Sequence, residues 1–318
     1  MRVIHITGVD LNLFEFDYDL TWVAFFMNAD EKIYGRYGGR DGKSADDRMS
    51  LAGLRYAMKA ALDTHRAQTD PTPRKAGKPL LAESYPAAKG HRGCVHCHQV
   101  NEFRRADQKE KGEWNRDFVW AYPLPENIGI TLDVDVGNKV KTIKPGSAAG
   151  AVGIQSGDLL RTLNGHPIAS FADAQYALHK APAKGKIAIS WERQGKTIDG
   201  LLEARSGWRK TNLTWRPSML DILPSLSVYG EDLSGAEKKT LGLPAKGLAF
   251  RQQKPVPNDA KKAGVQAGDV ILGVDGLVLE LTVDQFLGYV RQNYLVGERL
   301  TLNVLREGKR VDLPWTLR

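Results

Sequence analysis

An internal repeat restricts the possible folds of this chain more than any other sequence feature. The first copy contains GSAAGAVGIQSGDLLRTLNG, and the second contains KKAGVQAGDVILGVDG. At one constant offset, Gly157-Asp158 aligns with Gly268-Asp269, and Asn164-Gly165 aligns with Asp275-Gly276. Glycine allows the tight or positive-φ turns that such positions require. The pattern therefore predicts that one small unit is built twice.

Both copies are predicted to contain the same order of elements. A short β run precedes the Gly-Asp turn, a strand ends at Asn-Gly or Asp-Gly, and an amphipathic helix and a last strand follow. This arrangement resembles the bacterial PDZ domains that are attached to HtrA-type proteases. The resemblance implies a first PDZ domain at 123–206, a connector at 207–225 and a second PDZ-like domain at 226–318.

The resemblance also implies a peptide-binding groove in the first copy. PDZ domains bind an extended peptide by strand addition, and backbone N–H groups of a glycine-containing loop hold its C-terminal carboxylate. In the loop PENIGIT, the predicted carboxylate donors are the amides of Ile128, Gly129 and Ile130. Ile130 and Leu132 are predicted to flank the added strand.

The opposite wall of this groove is predicted to be the helix around 172–179. It would present Ala174, Tyr176 or Leu178, depending on its register. The alternative is that these apolar residues, like Ile130 and Leu132, simply fill the core of the domain. For any one residue the core is the commoner outcome, whereas the loop as a whole favours binding.

The second copy is predicted to have a weaker groove and to serve mainly in packing. Its segment LGLPAKGLAF leaves little room for a separate groove strand, and Pro244 lacks a backbone donor. No HExxH helix and no Gly-x-Ser-x-Gly turn occurs in the sequence. The repeat therefore does not indicate a protease, and no catalytic residue is assigned.

A second motif, GHRGCVHCHQV, holds both cysteines of the chain. Cys94, Cys97 and His98 form C-x-x-C-H, the pattern of covalent haem c attachment, in which two thiols bond the porphyrin and the histidine binds the iron. Two alternatives remain. The pair could bind zinc with nearby histidines, or it could act as a thiol–disulfide couple. The segment 67–122 is thus interpreted as a linker followed by a short helical haem c segment.

Residues 1–66 are predicted to form a strand hairpin and a helix. The turn lies at 28–31, and Ser50 is the predicted cap of a helix with Leu51, Leu54, Met58 and Leu62 on one face. A strand pair followed by a terminal helix resembles the second half of a thioredoxin fold. The unit is interpreted as a partial thioredoxin-like domain.

The whole chain resembles a bacterial family of thioredoxin/PDZ domain-containing (seleno)proteins. The phrases that carry this resemblance include GVDLNLFEFDYDLTWVAFFMNAD, GCVHCHQVNEFRRAD, YPLPENIGITLD and LTWRPSMLDILPSL. The first strand and helix of a complete thioredoxin would lie before Met1, and Leu20 stands nearest to the position of its cis-proline. We therefore expect a start codon assigned too late, which would also account for the lack of a visible export signal.

The sequence predicts an α+β multidomain scaffold that binds protein C-termini or extended peptides and carries haem c. Because haem c is attached outside the cytoplasm, a periplasmic location is expected. The alternative is a non-catalytic adaptor whose cysteine pair binds zinc or forms a disulfide. The net charge of +8 is scattered along the chain, so nucleic-acid binding is not favoured, and no apolar run reaches membrane-spanning length.

Overall fold

The computed structural model describes residues 3–67, 77–91 and 93–318. It divides into two compact units, Met1–Ser218 and Met219–Arg318. Within the predicted linker, residues 68–76 and Arg92 lie outside the described residues. Among the helices that are described, none is both long and apolar enough to cross a membrane.

The N-terminal part of the first unit has the predicted hairpin and helix. Strands β1 (Val23–Met27) and β2 (Ile33–Gly38) pair antiparallel, and helix α1 spans Leu51–Ala67. The Ser50 hydroxyl accepts a hydrogen bond from the Gly53 N–H at 2.9 Å, as expected for an N-cap.

The apolar face of α1 is not the face that the helix buries. Leu51, Met58 and Leu62 are exposed, and the helix instead buries Gly53, Ala57 and Ala61. A Cβ atom at Gly53 would overlap the carbonyl oxygen of Val134. The helix therefore packs through small residues because its backbone runs close to a neighbouring loop.

The cysteine segment leads into helix α2, Gln99–Glu110, as the helix-compatible sequence predicted. Val95, Val100 and Phe103 lie in one buried cluster with residues from the start of the chain, such as Leu11 and Tyr18. The apolar residues on either side of the cysteines are therefore part of the core of the first unit.

The first repeat copy begins with a 3₁₀ turn at Pro125–Ile128. Its further elements are β3 (Ile130–Leu132), β4 (Val140–Ile143), α3 (Ala148–Ala151), β5 (Leu159–Leu163), β6 (His166–Pro167), α4 (Phe171–Lys180), β7 (Gly185–Arg193) and β8 (Lys196–Ala204). Strand β3 pairs with β4, and a second sheet has the order β6-β5-β7-β8. One apolar core lies beneath both sheets and α4.

The second unit contains a single five-stranded antiparallel sheet. Its elements are β9 (Gly230–Asp232), α5 (Gly235–Thr240), β10 (Phe250–Gln252), α6 (Asn258–Lys262), β11 (Val270–Val274), α7 (Val283–Asn293), β12 (Arg299–Arg306) and β13 (Lys309–Thr316). The strand order is β13-β12-β11-β10-β9, so that β9 is an edge strand.

The segment LGLPAKGLAF is predicted to leave little room for a separate groove strand, and the structure has an edge strand upstream of this segment. Strand β9 pairs antiparallel with β10, and Gly230 is the partner of Gln252. The segment LGLPAKGL lies between these strands, together with α5. The edge strand therefore lies upstream of the place where the sequence repeat was aligned, because an inserted helix separates it from β10.

A bidentate ion pair recurs in the two copies. Arg193 donates from Nε and Nη2 to the carboxylate of Asp158 at 2.8 and 2.7 Å, and Arg306 donates in the same way to Asp269 at 2.8 and 2.8 Å. In each case Nη2 also donates to a glycine carbonyl, that of Gly153 or Gly264. In each copy the ion pair links the Gly-Asp turn to the end of the strand before the last hairpin turn, β7 in the first copy and β12 in the second.

Candidate functional site

The loop that precedes β3 has the shape expected of a glycine-containing cradle. Gly129 ends the 3₁₀ turn with φ of 93°, a left-handed conformation that favours glycine. A Cβ atom there would overlap the side chain of Ser147. In this conformation the Gly129 N–H donates to the carbonyl of Glu126 at 3.0 Å, so that this predicted carboxylate donor already has a partner within the loop.

The four apolar residues predicted for the groove are all buried. Ile130 and Leu178 have no exposed surface, and Ile128 and Leu132 are 2% and 4% exposed. All four belong to the core of the first copy. Their side chains therefore fill the core, which is the alternative interpretation given above. Any role in peptide binding would fall to the backbone of β3.

The free edge of β3 is the feature that could accept an added strand. The carbonyl of Gly129 accepts from the N–H of Lys144, and the N–H of Asp133 donates to the carbonyl of Lys139. Because residues alternate along an antiparallel strand, these contacts direct the backbone groups of Ile130 and Leu132 away from β4. We call the space between this edge and α4 the first groove.

The α4 wall of the first groove is in contact with strand β2. The Asp173 carboxylate accepts from the Arg36 N–H at 2.8 Å, and the Ser170 hydroxyl donates to the Arg36 carbonyl at 2.5 Å. The Arg36 guanidinium carbon also lies 3.6 Å from the ring centroid of Tyr176. Burial raises the pKa of Asp173 to about 6. The hydrogen bonds from Arg36, Ala169 and Ser170 lower this pKa, but burial outweighs them.

Tyr122 contacts a different side of α4, at the middle and the end of the helix. Its carbonyl accepts from Gln175 Nε2 at 3.1 Å, its N–H contacts His179 Nδ1 at 3.4 Å, and its ring stacks on the His179 ring at 4.2 Å. Burial lowers the pKa of His179 to about 4. This imidazole is therefore neutral near pH 7, as its role as an acceptor requires.

Arg48 connects the two walls of the first groove. Nη1 donates to Glu126 in the turn before β3 at 2.6 Å, and the guanidinium carbon lies 4.8 Å from the ring centroid of Phe171 at the start of α4. The buried carboxylate of Asp41 holds Nε and Nη2 of Arg48 at 3.1 and 2.8 Å. A Cβ atom on Gly39 would overlap the Phe171 ring, so that the backbone there also lies against α4.

The corresponding wall of the second unit is more open. Thr282 caps α7 as Ser170 caps α4, which aligns Gln285 with Asp173 and Leu287 with Gln175. Gln285 is exposed and Leu287 is half-buried, whereas Asp173 and Gln175 are 4% and 2% exposed. We call the space between β9 and α7 the second groove.

The cysteine motif lies directly before α2. Cys94 is exposed, Cys97 is half-buried, and both are free thiols. Burial raises the pKa of Cys97, which disfavours the thiolate that a reactive redox pair requires. Among the described residues, no three His, Cys, Asp or Glu side chains are grouped so that they could hold a metal ion.

The His98 ring is in contact with a carboxylate, as is typical of a metal-binding histidine. Its Nδ1 lies 2.8 Å from Glu102 Oε1, one helical turn further on, and a carboxylate at one ring nitrogen orients the other toward a ligand. His96 stacks on His98 with centroids 6.0 Å apart. The donor set of two thiols and one oriented imidazole fits haem c, although Val95, Val100 and Phe103 face the protein core and are not available to cover a porphyrin.

The residues of other segments that contact α4 were not predicted from the sequence. Arg36, Arg48 and Tyr122 come from separate segments, and no periodic pattern links them to α4. The Ser170 and Asp173 pair could have been recognised as an N-cap and its first-turn acid. The backbone of Arg36, which bonds to both Ser170 and Asp173, carries no signal in the sequence.

Comparisons with known proteins identify a PDZ domain in the first copy. A family profile described as PDZ domain matches residues 139–193. Periplasmic serine endoprotease DegP from Salmonella typhimurium is 30% identical over 46% of this chain and 28% of its own length. Periplasmic pH-dependent serine endoprotease DegQ from Escherichia coli is 30% identical over 46% of this chain and 30% of its own length. This chain therefore spans less than a third of either relative, and it shares homology with the HtrA/DegP type over that part.

Among solved structures, the HtrA-type protease AlgW with tripeptide is similar at a TM-score of 0.30 and 18% identity, covering 61% of this chain and 68% of that one. The AlgW S227A variant with decapeptide is similar at a TM-score of 0.28 and 18% identity, covering 57% and 54%.

Proposed function

We propose that this protein is a peptide-binding scaffold that works outside the cytoplasm. The observation that carries the proposal is the edge of β3 that faces away from β4, at Ile130 and Leu132, beside α4 in a copy that matches the PDZ domain. An extended peptide would add to this edge by main-chain hydrogen bonds. The second copy is proposed as a further PDZ-like module, because β9 and α7 stand in the places of β3 and α4.

The names of the relatives support the proposed compartment. DegP and DegQ are named as periplasmic proteases, and we extend their location to this chain. Their proteolysis is not extended, because the sequence contains neither a Gly-x-Ser-x-Gly turn nor an HExxH helix. The proposed role is therefore recognition of polypeptide ends.

Full-length protein is expected to bind peptides through their C-terminal carboxylate. A mixture of fluorescein-labelled decapeptides with random sequence and C-terminal valine, leucine or phenylalanine serves as the probe in fluorescence polarisation. Amidation of the C-terminus should weaken binding by about tenfold or more, because it removes charge-assisted hydrogen bonds worth at least about 1.4 kcal/mol. Equal binding of the free and amidated mixtures would contradict recognition of the carboxylate.

A second proposal is that the cysteine motif carries haem c. Cys94 and Cys97 would form the two thioether bonds, and His98 would bind the iron through Nε2 while Glu102 holds Nδ1. The observation that favours this proposal is the contact between His98 Nδ1 and Glu102 Oε1 at 2.8 Å, which leaves Nε2 for a ligand. Haem c would supply one-electron redox chemistry to the scaffold. The adaptor with zinc or a disulfide at this motif remains the alternative.

Coexpression with a haem c maturation system tests this second proposal. Intact-mass spectrometry should show the polypeptide plus one haem, and Cys94→Ala with Cys97→Ala should abolish the added mass. His98→Ala should keep the thioether mass and change the visible spectrum, whereas the matched control His96→Ala should change neither. A bare polypeptide mass in the wild type would rule out haem attachment, and colourless protein with stoichiometric zinc would support the adaptor.

For the N-terminal region we propose a relationship to the second half of a thioredoxin fold, and with it to the thioredoxin/PDZ domain-containing (seleno)proteins. The support is the antiparallel β1–β2 hairpin followed by α1. No thioredoxin nucleophile is assigned to any residue of this chain.

A further inference from the structure

We propose that the first groove is closed by the chain itself. The segment 36–48, which we call the cover segment, lies over the start of α4 and contacts the turn before β3, across the opening that an added peptide strand would enter. The proposal rests on the peptide-binding function proposed above, because it concerns access to that groove. An external peptide would bind to the first copy only after the cover segment moves aside.

The burial of β3 is the first argument for closure. The backbone groups of Ile130 and Leu132 point away from β4, yet these residues are 0% and 4% exposed. An edge strand next to an open groove would leave these groups accessible to water. Other parts of the chain must therefore lie over this edge.

The contacts of Arg48 identify one such part. This side chain binds Glu126 on the β3 side of the first groove and lies over Phe171 on the α4 side. It therefore crosses the groove, and the buried Asp41 carboxylate, with its side chain 7% exposed, fixes its guanidinium in place. A peptide strand laid between β3 and α4 would have to displace this arginine.

The other end of the cover segment is attached to α4 by its backbone. The Arg36 N–H and carbonyl bond to Asp173 and Ser170, which are 4% and 1% exposed. Gly39 then passes so close to Phe171 that no side chain fits between them.

The second copy provides an internal comparison. At the positions equivalent to the buried residues Asp173 and Gln175, which lie on different sides of α4, stand an exposed glutamine, Gln285, and a half-buried leucine, Leu287. Two sides of α4 that are covered in the first copy thus correspond to more accessible sides of α7 in the second. The second groove is therefore the more accessible one in this conformation.

Substitution of Gly39 by alanine is designed to lift the cover segment from α4. The matched control is Gly185→Ala. Gly185 has a comparable φ of 121° against 143° for Gly39, but its added Cβ would meet no atom within 4 Å. Arg48→Ala is a second variant that opens the groove without backbone strain. Amide hydrogen exchange of the full-length protein is followed in fragments that contain β3 and β9, with and without the random decapeptide mixture.

We expect exchange in β3 to rise by about tenfold or more in Gly39→Ala and Arg48→Ala, and to stay unchanged in Gly185→Ala. The decapeptides should protect β9 in the wild type and should protect β3 only in the two opened variants. Unchanged β3 exchange in both variants, or protection of β3 by peptide in the wild type, would overturn the closure. Raised β3 exchange with no protection of either strand would leave the closure standing and would refute the proposed peptide binding.

Discussion

Replacement of Arg216 by alanine is expected to destabilise the first unit by about 3–5 kcal/mol, the usual cost of leaving a buried charge without its partner. Arg216 is 1% exposed, and its guanidinium donates to both oxygens of Asp17 at 2.6 and 2.8 Å and to Asp19 at 3.1 Å. Without the guanidinium, two buried carboxylates would face each other with no cation. Urea unfolding with hydrogen exchange of β7 as the local readout measures the loss.

The loss in Arg216→Ala should shrink as the pH falls. Burial raises the pKa of Asp17 even with Arg216 present, against the charge and hydrogen bonds of that arginine, which lower it. Removing the arginine must raise the pKa of Asp17 further. An acid whose folded pKa lies above its unfolded value costs stability when ionised, and this cost disappears once the pH falls below the folded pKa. The deficit is therefore expected to be largest at pH 7 and smaller near pH 4.

Arg161→Ala is the control for this substitution. Arg161 also pairs with a carboxylate, that of Glu192, but its side chain is 47% exposed. Exposed pairs contribute about 0–1 kcal/mol, so that this variant should unfold almost as the wild type does. Comparable losses of stability in Arg161→Ala and Arg216→Ala would show that burial does not determine how much the Asp17–Asp19–Arg216 group contributes to the free energy of unfolding.

The features that could be predicted from the sequence are those with local physical causes. The β1–β2 turn and the Ser50 cap each lie within a few residues, and the Gly-Asp turns of the repeat were found where they were predicted. A turn or a cap depends on the conformations and hydrogen bonds of neighbouring residues. Such signals survive in a single sequence.

The features that were missed depend on contacts between distant segments. Amphipathic spacing groups Leu51, Met58 and Leu62 on one face of α1, but it does not reveal that the helix approaches a neighbouring loop at Gly53 and buries the other face. The hydrogen bond between the Arg36 N–H and the Asp173 carboxylate joins positions that are 137 residues apart. One main-chain hydrogen bond of this kind leaves no pattern in the sequence.

The second large effect is expected from the paired ion pairs of the repeat. Asp158→Ala should destabilise the first unit and Asp269→Ala the second, each by about 2–3 kcal/mol, because each loses hydrogen bonds to a charged donor. The two side chains are only 2% and 1% exposed. Each also accepts a backbone N–H from the turn, that of Gln155 or Gln266, at 2.8 Å. Exchange of β7 and β12 amides reports on the two units separately.

The deficit of Asp158→Ala should persist to lower pH than that of Arg216→Ala. Burial alone would raise the pKa of Asp158, but the hydrogen bonds from Arg193 and Gln155 outweigh it and lower the pKa. A carboxyl with a depressed folded pKa contributes stability above its unfolded pKa, near 3.8, and loses that contribution as the pH falls through the folded value. The difference between wild type and Asp158→Ala should thus be constant from pH 7 to 5 and should disappear only below about pH 4.

Asp63→Ala is the matched control, because Asp63 pairs with Lys59 on the surface, where both side chains are more than half exposed. It should change stability by no more than about 0.5 kcal/mol. The decisive comparison is between the two repeat variants. The same geometry at Arg193 and Arg306 predicts losses of similar size, each confined to its own unit. A loss in β7 protection for Asp158→Ala with none in β12 for Asp269→Ala would mean that the second ion pair does not hold its turn as the first one does.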